Sequence, residues 1–243
     1  MTKSVCIATF NGAQYIAQQL DSVIEQLGVD DEIIIVDDCS TDHTLEIIET
    51  YNDDRIKIYR NDKNLRHVKS FERAISLSNN ALVFLCDQDD LWEKDRLKTF
   101  EKYFLQYPDV LLVSSNFSCI DDHGDRVENN LRKVSPEDSF SYKKNILAVF
   151  AGKIGYFGCA MAFRRELISK VLPIPGYVEA HDLWFAMAAN ILKANLHIDD
   201  KTLYHRIHSS NASDLRRNVR GRIKARLGFL KSYLELAKRI GKN

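Results

Sequence analysis

Within Ala81-Leu-Val-Phe-Leu-Cys-Asp-Gln-Asp-Asp-Leu-Trp92, three carboxylates (Asp87, Asp89 and Asp90) follow directly on an apolar run. Like charges this close repel, so the cluster needs a divalent cation or strong hydrogen-bond donors to sit in a folded chain. Carboxylates on a metal that also grips a ligand's phosphates are one chemistry that meets the need. A solvated turn with an Asp at a helix N-cap suffices for one such residue. It is a weaker account of three at the carboxyl end of a buried strand, where open α/β sheets bind ligands. A second pair, Asp37-Asp38, also ends an apolar run. Asp42 or Ser40 can cap the helix that follows, which leaves the pair unexplained. A carboxylate accepting from a pyrimidine N3–H, with Phe10 against the base, explains it. A third acid, Asp182, stands beside His181 and Trp184 at the start of an apolar helix. An acid in a first helical turn is favourable with no further role, but one with an adjusted pKa serves as a general base.

These residues need elements to hold them at one edge. Ser4 to Phe10, Glu32 to Val36, Arg55 to Tyr59 and Ala81 to Cys86 read as strands. Helical spacing over Ala13–Leu27, Thr44–Thr50 and about Val68–Leu77 separates them. This β-α alternation predicts a mainly parallel sheet with right-handed crossovers, flanked by helices. Beyond it, Lys94–Tyr107 reads as a helix closed by Pro108, and Val110–Ser115 as a strand. Asn116–Val127 reads as a hairpin turning at Asp122-His123-Gly124. Residues 128–148 are polar and poorly periodic, and are expected to form a mobile loop. Small residues at Gly158, Cys159 and Ala160 suit either close ligand approach or a tightly packed strand.

The 243 residues hold 34 basic and 34 acidic side chains, so net charge predicts no polyanionic partner and no nucleic acid. No apolar run reaches membrane-spanning length, and the N-terminus lacks a signal peptide's layout. Five cysteines without close pairing are read as reduced thiols of a cytosolic protein. Neither G-x-G-x-x-G after the first strand nor a P-loop is present. A nucleotide held by carboxylates and metal is the reading that survives.

Thr9-Phe10-Asn11-Gly12, Asp31-Glu-Ile-Ile-Ile-Val-Asp-Asp-Cys-Ser-Thr-Asp42 and Cys86-Asp-Gln-Asp-Asp-Leu-Trp92, in this order and spacing, resemble family 2 glycosyltransferases. These are inverting enzymes with a GT-A fold, and the resemblance covers nearly the whole chain. It implies that Asp38 contacts the base, that Asp87 holds the ribose, and that Asp89 holds a divalent metal (Mn²⁺ or Mg²⁺) on the diphosphate. Thr9, Phe10, Asn11 and Lys69 join the nucleotide contacts by the same resemblance. The Gly158-Cys159-Ala160 segment is similar to one lining the acceptor side, with His181 and Trp184. His181-Asp182 resembles the family motif whose Asp deprotonates the acceptor hydroxyl. His208 matches the His of a Y-R-x-H element, which implies a third metal ligand and makes Arg206 a diphosphate contact; His205 replaces the usual Tyr. Asp-Gln-Asp-Asp before an aromatic is similar to the rhamnosyltransferase-like branch.

Residues 214–243 carry ten basic against two acidic side chains, a local +8 that leaves −8 on the rest. Leu215, Val219, Ile223, Leu227, Leu230, Leu234 and Ala237 fall on one helical stripe. Such a helix either docks on the domain or lies on anionic lipid. The sequence therefore predicts a transferase domain over 1–213, with a nucleotide-sugar half (1–115) and an acceptor half (116–213), and a basic helical tail. The expected partners are a dTDP- or UDP-linked sugar, a glycan or polyprenyl-diphosphate-linked acceptor, and an anionic membrane. The expected location is the cytoplasm, peripherally on the inner face of the cell membrane. A sugar nucleotidyltransferase and a non-catalytic sugar- or lipid-binding protein are the alternatives.

Overall fold

Lys3–Thr9 forms β1, and after helix α1 (Ile16–Ile24) the run Glu32–Asp37 forms β2, every residue of it buried. Burial on both faces is what a parallel strand between two helical layers requires, and it explains the unbroken Ile-Ile-Ile-Val. Helix α2 (Thr44–Glu49), β3 (Ile56–Arg60), α3 (His67–Leu77) and β4 (Leu82–Asp87) complete the alternation. The second half contains β5 (Leu91–Trp92), α4 (Arg96–Gln106), β6 (Leu112–Ile120) and α5 (Tyr142–Ala151). It continues with β7 (Met161–Arg164), α6 (Ile168–Val171), α7 (His181–Ile191), β8 (Asn195–Arg206) and α8 (Val219–Ile240). This computed structural model describes residues 1–208 and 219–241. Tail positions 214–218, Leu215 among them, and 242–243 therefore lie outside the described residues.

The eight strands form one sheet in the order β3-β2-β1-β4-β7-β6-β8-β5. Its first four strands are parallel, as the alternation predicts. From β7 onward it is mixed, because β7 runs antiparallel to both β4 and β6 while β6 and β8 are parallel. β6 crosses the 115/116 division, so the two halves share one sheet. Register sets the site: Thr9 pairs with Asp37 and Ala8 with Asp87, which puts both acidic strand ends on one edge.

Alternation along the strands separates two cores. Val5, Ile7, Ile33, Ile35 and Phe84 face α1 and α4; Cys6, Ile34, Val36, Val83 and Leu85 face α3 and α7. Each such side chain stabilises the fold by about 1.5–3 kcal/mol.

Three expectations change. Residues 128–148 are not loop throughout, since α5 starts at Tyr142; only Asn145 and Val149 of it are buried, so its periodicity is faint. The Asn116–Val127 hairpin is real at its turn, where Ile120 bridges Arg126, but its first arm is the end of β6. The tail's expected apolar stripe is also not the docked face. α8 packs inward with Phe229, Tyr233, Leu236 and Ile240, while Leu227, Leu230 and Leu234 are 62%, 47% and 60% exposed. No described helix is long and apolar enough to cross a membrane.

The two faces of α8 should separate in stability measurements. Leu236→Ala is expected to cost about 2–5 kcal/mol in denaturant unfolding, and Leu230→Ser no more than about 0.5 kcal/mol. Equal effects would mean that α8 is not docked by that face.

Candidate active site

The loop after β1 is tied to the loops after β2 and β4. Gln88 Oε1 accepts from Thr9 Oγ1 at 2.7 Å and from Phe10 N at 2.9 Å, and its amide returns a bond to Phe10 O. Asn11 takes Thr41 N on its side chain and gives its own N–H to Ser40. A Cβ on Gly12 would stand 2.4 Å from Gln88 Oε1, so a larger residue would have to displace the amide that makes this closure. Asn11, Cys39 and Arg66, none of them glycine, all have positive φ on these loops; strain of this kind concentrates where a ligand is held. Phe10 stays 43% exposed, an apolar face on the rim.

Asp38 is buried and accepts three N–H bonds, from Asn61 Nδ2, Leu65 N and Arg66 N, each at 2.7 Å. Its carboxylate therefore shapes the 61–66 loop, a task that the base-contact expectation did not include. Asp37 takes Ser40 N and faces Arg60. Lys69 gives its ammonium to Glu72 and to the carbonyl of Ile174, so a nucleotide contact from it requires exchanging those partners.

At the end of β4 the charges crowd. Burial first, and then the charges of Asp90 and Asp89, push Asp87 up to about 8. Asp182 also raises Asp87, so α7 brings its acid within electrostatic reach of β4. Asp89 is raised as well, by burial and Asp90, against the pull of His208. Asp90 goes the other way. Burial alone would raise it, but the charge and hydrogen bond of His205 and the amide of Arg206 hold it below the usual carboxylate range. Burial works to lower His205, yet Asp90 prevails and lifts it to about 9. Beneath them the buried Arg96 lies over Trp92 and Phe100 and donates to Thr202 and to the carbonyl of Cys159.

These donors fit a divalent cation. Asp89 Oδ2 and His208 Nε2 are 2.9 Å apart, and two ligands each about 2.1 Å from one octahedral ion at a right angle lie about 3 Å apart. The raised carboxylates show independently that the place favours added positive charge. The ligand atoms of Asp90, Cys159 and His205 also cluster, within 4.8 Å of one another. Burial keeps Cys159 a thiol, well above its usual range, so this second set is a hydrogen-bonded support behind the first.

The acceptor-side expectations divide. Gly158 is buried against the imidazole of His181, whose Nε2 would lie 2.8 Å from an added Cβ. That imidazole is 7% exposed, and among the described residues neither ring nitrogen has a partner. It packs on Phe71 and His67, and burial pushes it down to about 3, hence neutral. Three of the expected site residues turn their side chains inward. Cys159 turns its thiol into the Asp90–His205 support. Trp184 is 1% exposed and donates Nε1 to Val171 O, so it packs where α6, α7 and α8 meet. Arg206 is buried, with its guanidinium on the carbonyls of Asp89 and Asp121, on Gln18 and over Tyr15. It braces the metal loop against the 121–122 turn instead of presenting itself to a diphosphate. Gln88, Asp90 and Arg96 emerge as site residues without a predicted role, and the density of acids around 87–90 was the only signal for any of them.

This mixed sheet, with a carboxylate-lined edge facing an acid on a separate helix, defines a nucleotide-diphospho-sugar transferase fold of the GT-A type. The model of glycosyl transferase family 2 matches residues 4–172, and the chain belongs to that family. It is 30% identical over 241 residues to the dTDP-rhamnosyl transferase RfbG of Shigella flexneri, covering 93% of this chain and 79% of that one. An uncharacterized glycosyltransferase of Nostoc is 28% identical over 223 residues, 87% of this chain. Among solved structures, residues 1–349 of TarS of S. aureus in complex with UDP-GlcNAc match with a TM-score of 0.67 at 22% identity, over 87% of this chain. The chain spans 66% of the Nostoc protein and 60% of that TarS chain.

Burial raises Asp182 to about 6. A base works only when deprotonated, so its active fraction is full above that value and lost as pH falls through it. With saturating metal, which would keep Asp87 and Asp89 ionised, the kcat/KM of transfer should be level above about pH 7 and fall about ten-fold per unit below about pH 5, as for one titrating base. A profile flat down to pH 4 would remove Asp182 from that role.

Proposed function

We propose that the protein is an inverting, metal-dependent glycosyltransferase. It moves a sugar from a nucleoside-diphosphate donor to a glycan or lipid-linked acceptor in bacterial surface polysaccharide synthesis. The observation that carries this reading is the convergence of Asp182 on the Asp87–Asp89 edge. One acid with a raised pKa stands within electrostatic reach of a carboxylate group suited to a metal. The donor lies along the ends of β1, β2 and β4, with its base against Phe10 and near Asp38. The acceptor comes from the α7 side.

Asp182 removes the hydroxyl proton as the acceptor oxygen bonds to the anomeric carbon. The bond from that carbon to the diphosphate oxygen breaks on the opposite face, which inverts the configuration. Asp89 and His208, with Asp87 beside them, would hold a divalent cation, which would supply positive charge for the departing diphosphate. The neutral His181, beside the base and with unmet hydrogen-bonding capacity, positions a sugar hydroxyl. Arg96, His205 and Arg206 hold the loop that bears the ligands.

For the donor, dTDP-L-rhamnose is the favoured reading, supported by the likeness to RfbG along most of the chain. A UDP-hexose is the second, supported by the fold shared with TarS, which was solved with UDP-GlcNAc. A nucleotidyltransferase would need a glycine-rich basic N-terminal loop that the sequence lacks. A non-catalytic protein would not require the base. Placement on the inner face of a membrane is supported by α8, where Leu227, Leu230 and Leu234 are exposed on a helix with seven basic residues and one acidic.

Incubation with dTDP-, UDP- and GDP-sugars, with and without Mn²⁺, tests the whole reading; turnover with a UDP-hexose and none with dTDP-rhamnose would overturn the favoured donor. Asp89→Ala should abolish metal-dependent nucleotide binding with the fold intact. Asp182→Asn should lower kcat by about 10²–10⁴-fold and spare donor affinity, because a base acts in the transition state. Parallel loss of donor affinity would mark Asp182 as structural. Leu227, Leu230 and Leu234 all changed to Ser should release the protein from anionic vesicles without unfolding it, and continued co-sedimentation would refute the membrane assignment.

A further inference from the structure

Between α7 and α8 lies a cavity of about 270 Å³. Tyr177, Val178, Leu183 and Met187 form one wall, and Leu227 and Gly228 the other. Its volume falls just below the range of about 300–1,000 Å³ usual for whole small-molecule ligands, so it suits a segment of a longer apolar chain. Three features say which chain. Ala180 and Leu183, both lining residues, flank Asp182 in the chain, so the cavity and the base share the first turn of α7. Lys224 and Lys231 stand at the rim, Lys224 near Glu179 and Lys231 over the ring of Tyr177. They are cations suited to an anionic head, on a helix strongly basic overall. Leu227 belongs both to the cavity wall and to the exposed apolar stripe, so the cavity is continuous with the surface assigned to the membrane.

We infer that this cavity seats the first isoprenoid units of a polyprenyl-diphosphate-linked acceptor. Its diphosphate lies by Lys224 and Lys231, and its sugar is directed at Asp182. The inference rests on the transferase reading and adds to it the site that recognises the lipid.

Gly228 provides a clean test. A Cβ there meets nothing within 4 Å, so Gly228→Leu fills the cavity from open space, and leucine favours a helix over glycine. Calorimetric titration of the full chain with farnesyl diphosphate and with inorganic pyrophosphate measures what the apolar chain contributes. Wild type should bind farnesyl diphosphate at least about ten-fold more tightly, the effect of burying roughly two methylene-sized groups. Gly228→Leu should erase that difference and leave the affinities for pyrophosphate and sugar nucleotide unchanged. The inference is overturned if the isoprenoid adds nothing in wild type or if its advantage survives in Gly228→Leu. It is also overturned if Gly228→Leu loses binding to phosphatidylglycerol vesicles as fully as to farnesyl diphosphate, which would assign the cavity to acyl chains of the bilayer. Sugar-nucleotide binding by wild type is measured in the same preparation. Failure there would count against the transferase reading and leave the cavity result to be judged by itself.

Discussion

Negative charge gathered at the end of β4 is the constraint around which the second half of the chain is built. Asp87, Asp89 and Asp90 are held in a poorly solvated place by a strand that cannot move, since β4 lies between β1 and β7 in the sheet. Cations approach from behind and from the side: Arg96 beneath, His205 on Asp90, and Arg206 through the carbonyl of Asp89. Removing one partner of a buried pair typically costs about 3–5 kcal/mol, so this support is expensive to lose. It holds Asp90 below the usual carboxylate range and leaves Asp87 and Asp89 raised toward their neutral forms. The surrounding protein thus keeps affinity for positive charge at Asp87 and Asp89.

That division of labour bears on what was legible from sequence. Buried strands announce themselves through β-branched runs, and acids at their ends stand out against them. The edge made by Asp37, Asp38, Asp87 and Asp89 was therefore readable, as was Asp182 at the mouth of an apolar helix. Side-chain direction was not readable. Arg206, Cys159 and Trp184 have the residue types of a binding site, but the extended backbone of β8, the tight turn before β7 and the packing of α7 turn them inward. Gln88 sits between two motif acids and carries no pattern of its own; only register reveals that it clips one loop to another. α5 was hidden because it buries little, and β8 shows no continuous strand pattern because its middle is Asp199-Asp200-Lys201, exposed and charged.

α8 teaches a different point about periodicity. Its leucine stripe faces outward, and its docked face is built from Phe229, Tyr233, Leu236 and Ile240, at equally regular helical spacing. Helical spacing reports that an apolar face exists, and a helix with two such faces needs structure to say which is covered. Both faces here have a use in the proposed function: one fixes α7, which bears the base, and the other meets lipid.

The order of synthesis gives this docking a temporal side. The strands and loops proposed to hold a sugar nucleotide emerge from the ribosome well before α8, which packs on α5, α6 and α7. A nascent or prematurely terminated chain can thus assemble the nucleotide edge while the helix bearing Asp182 still lacks its backing. On the proposed function, such a fragment would hold donor without transferring its sugar until α8 packs against α7.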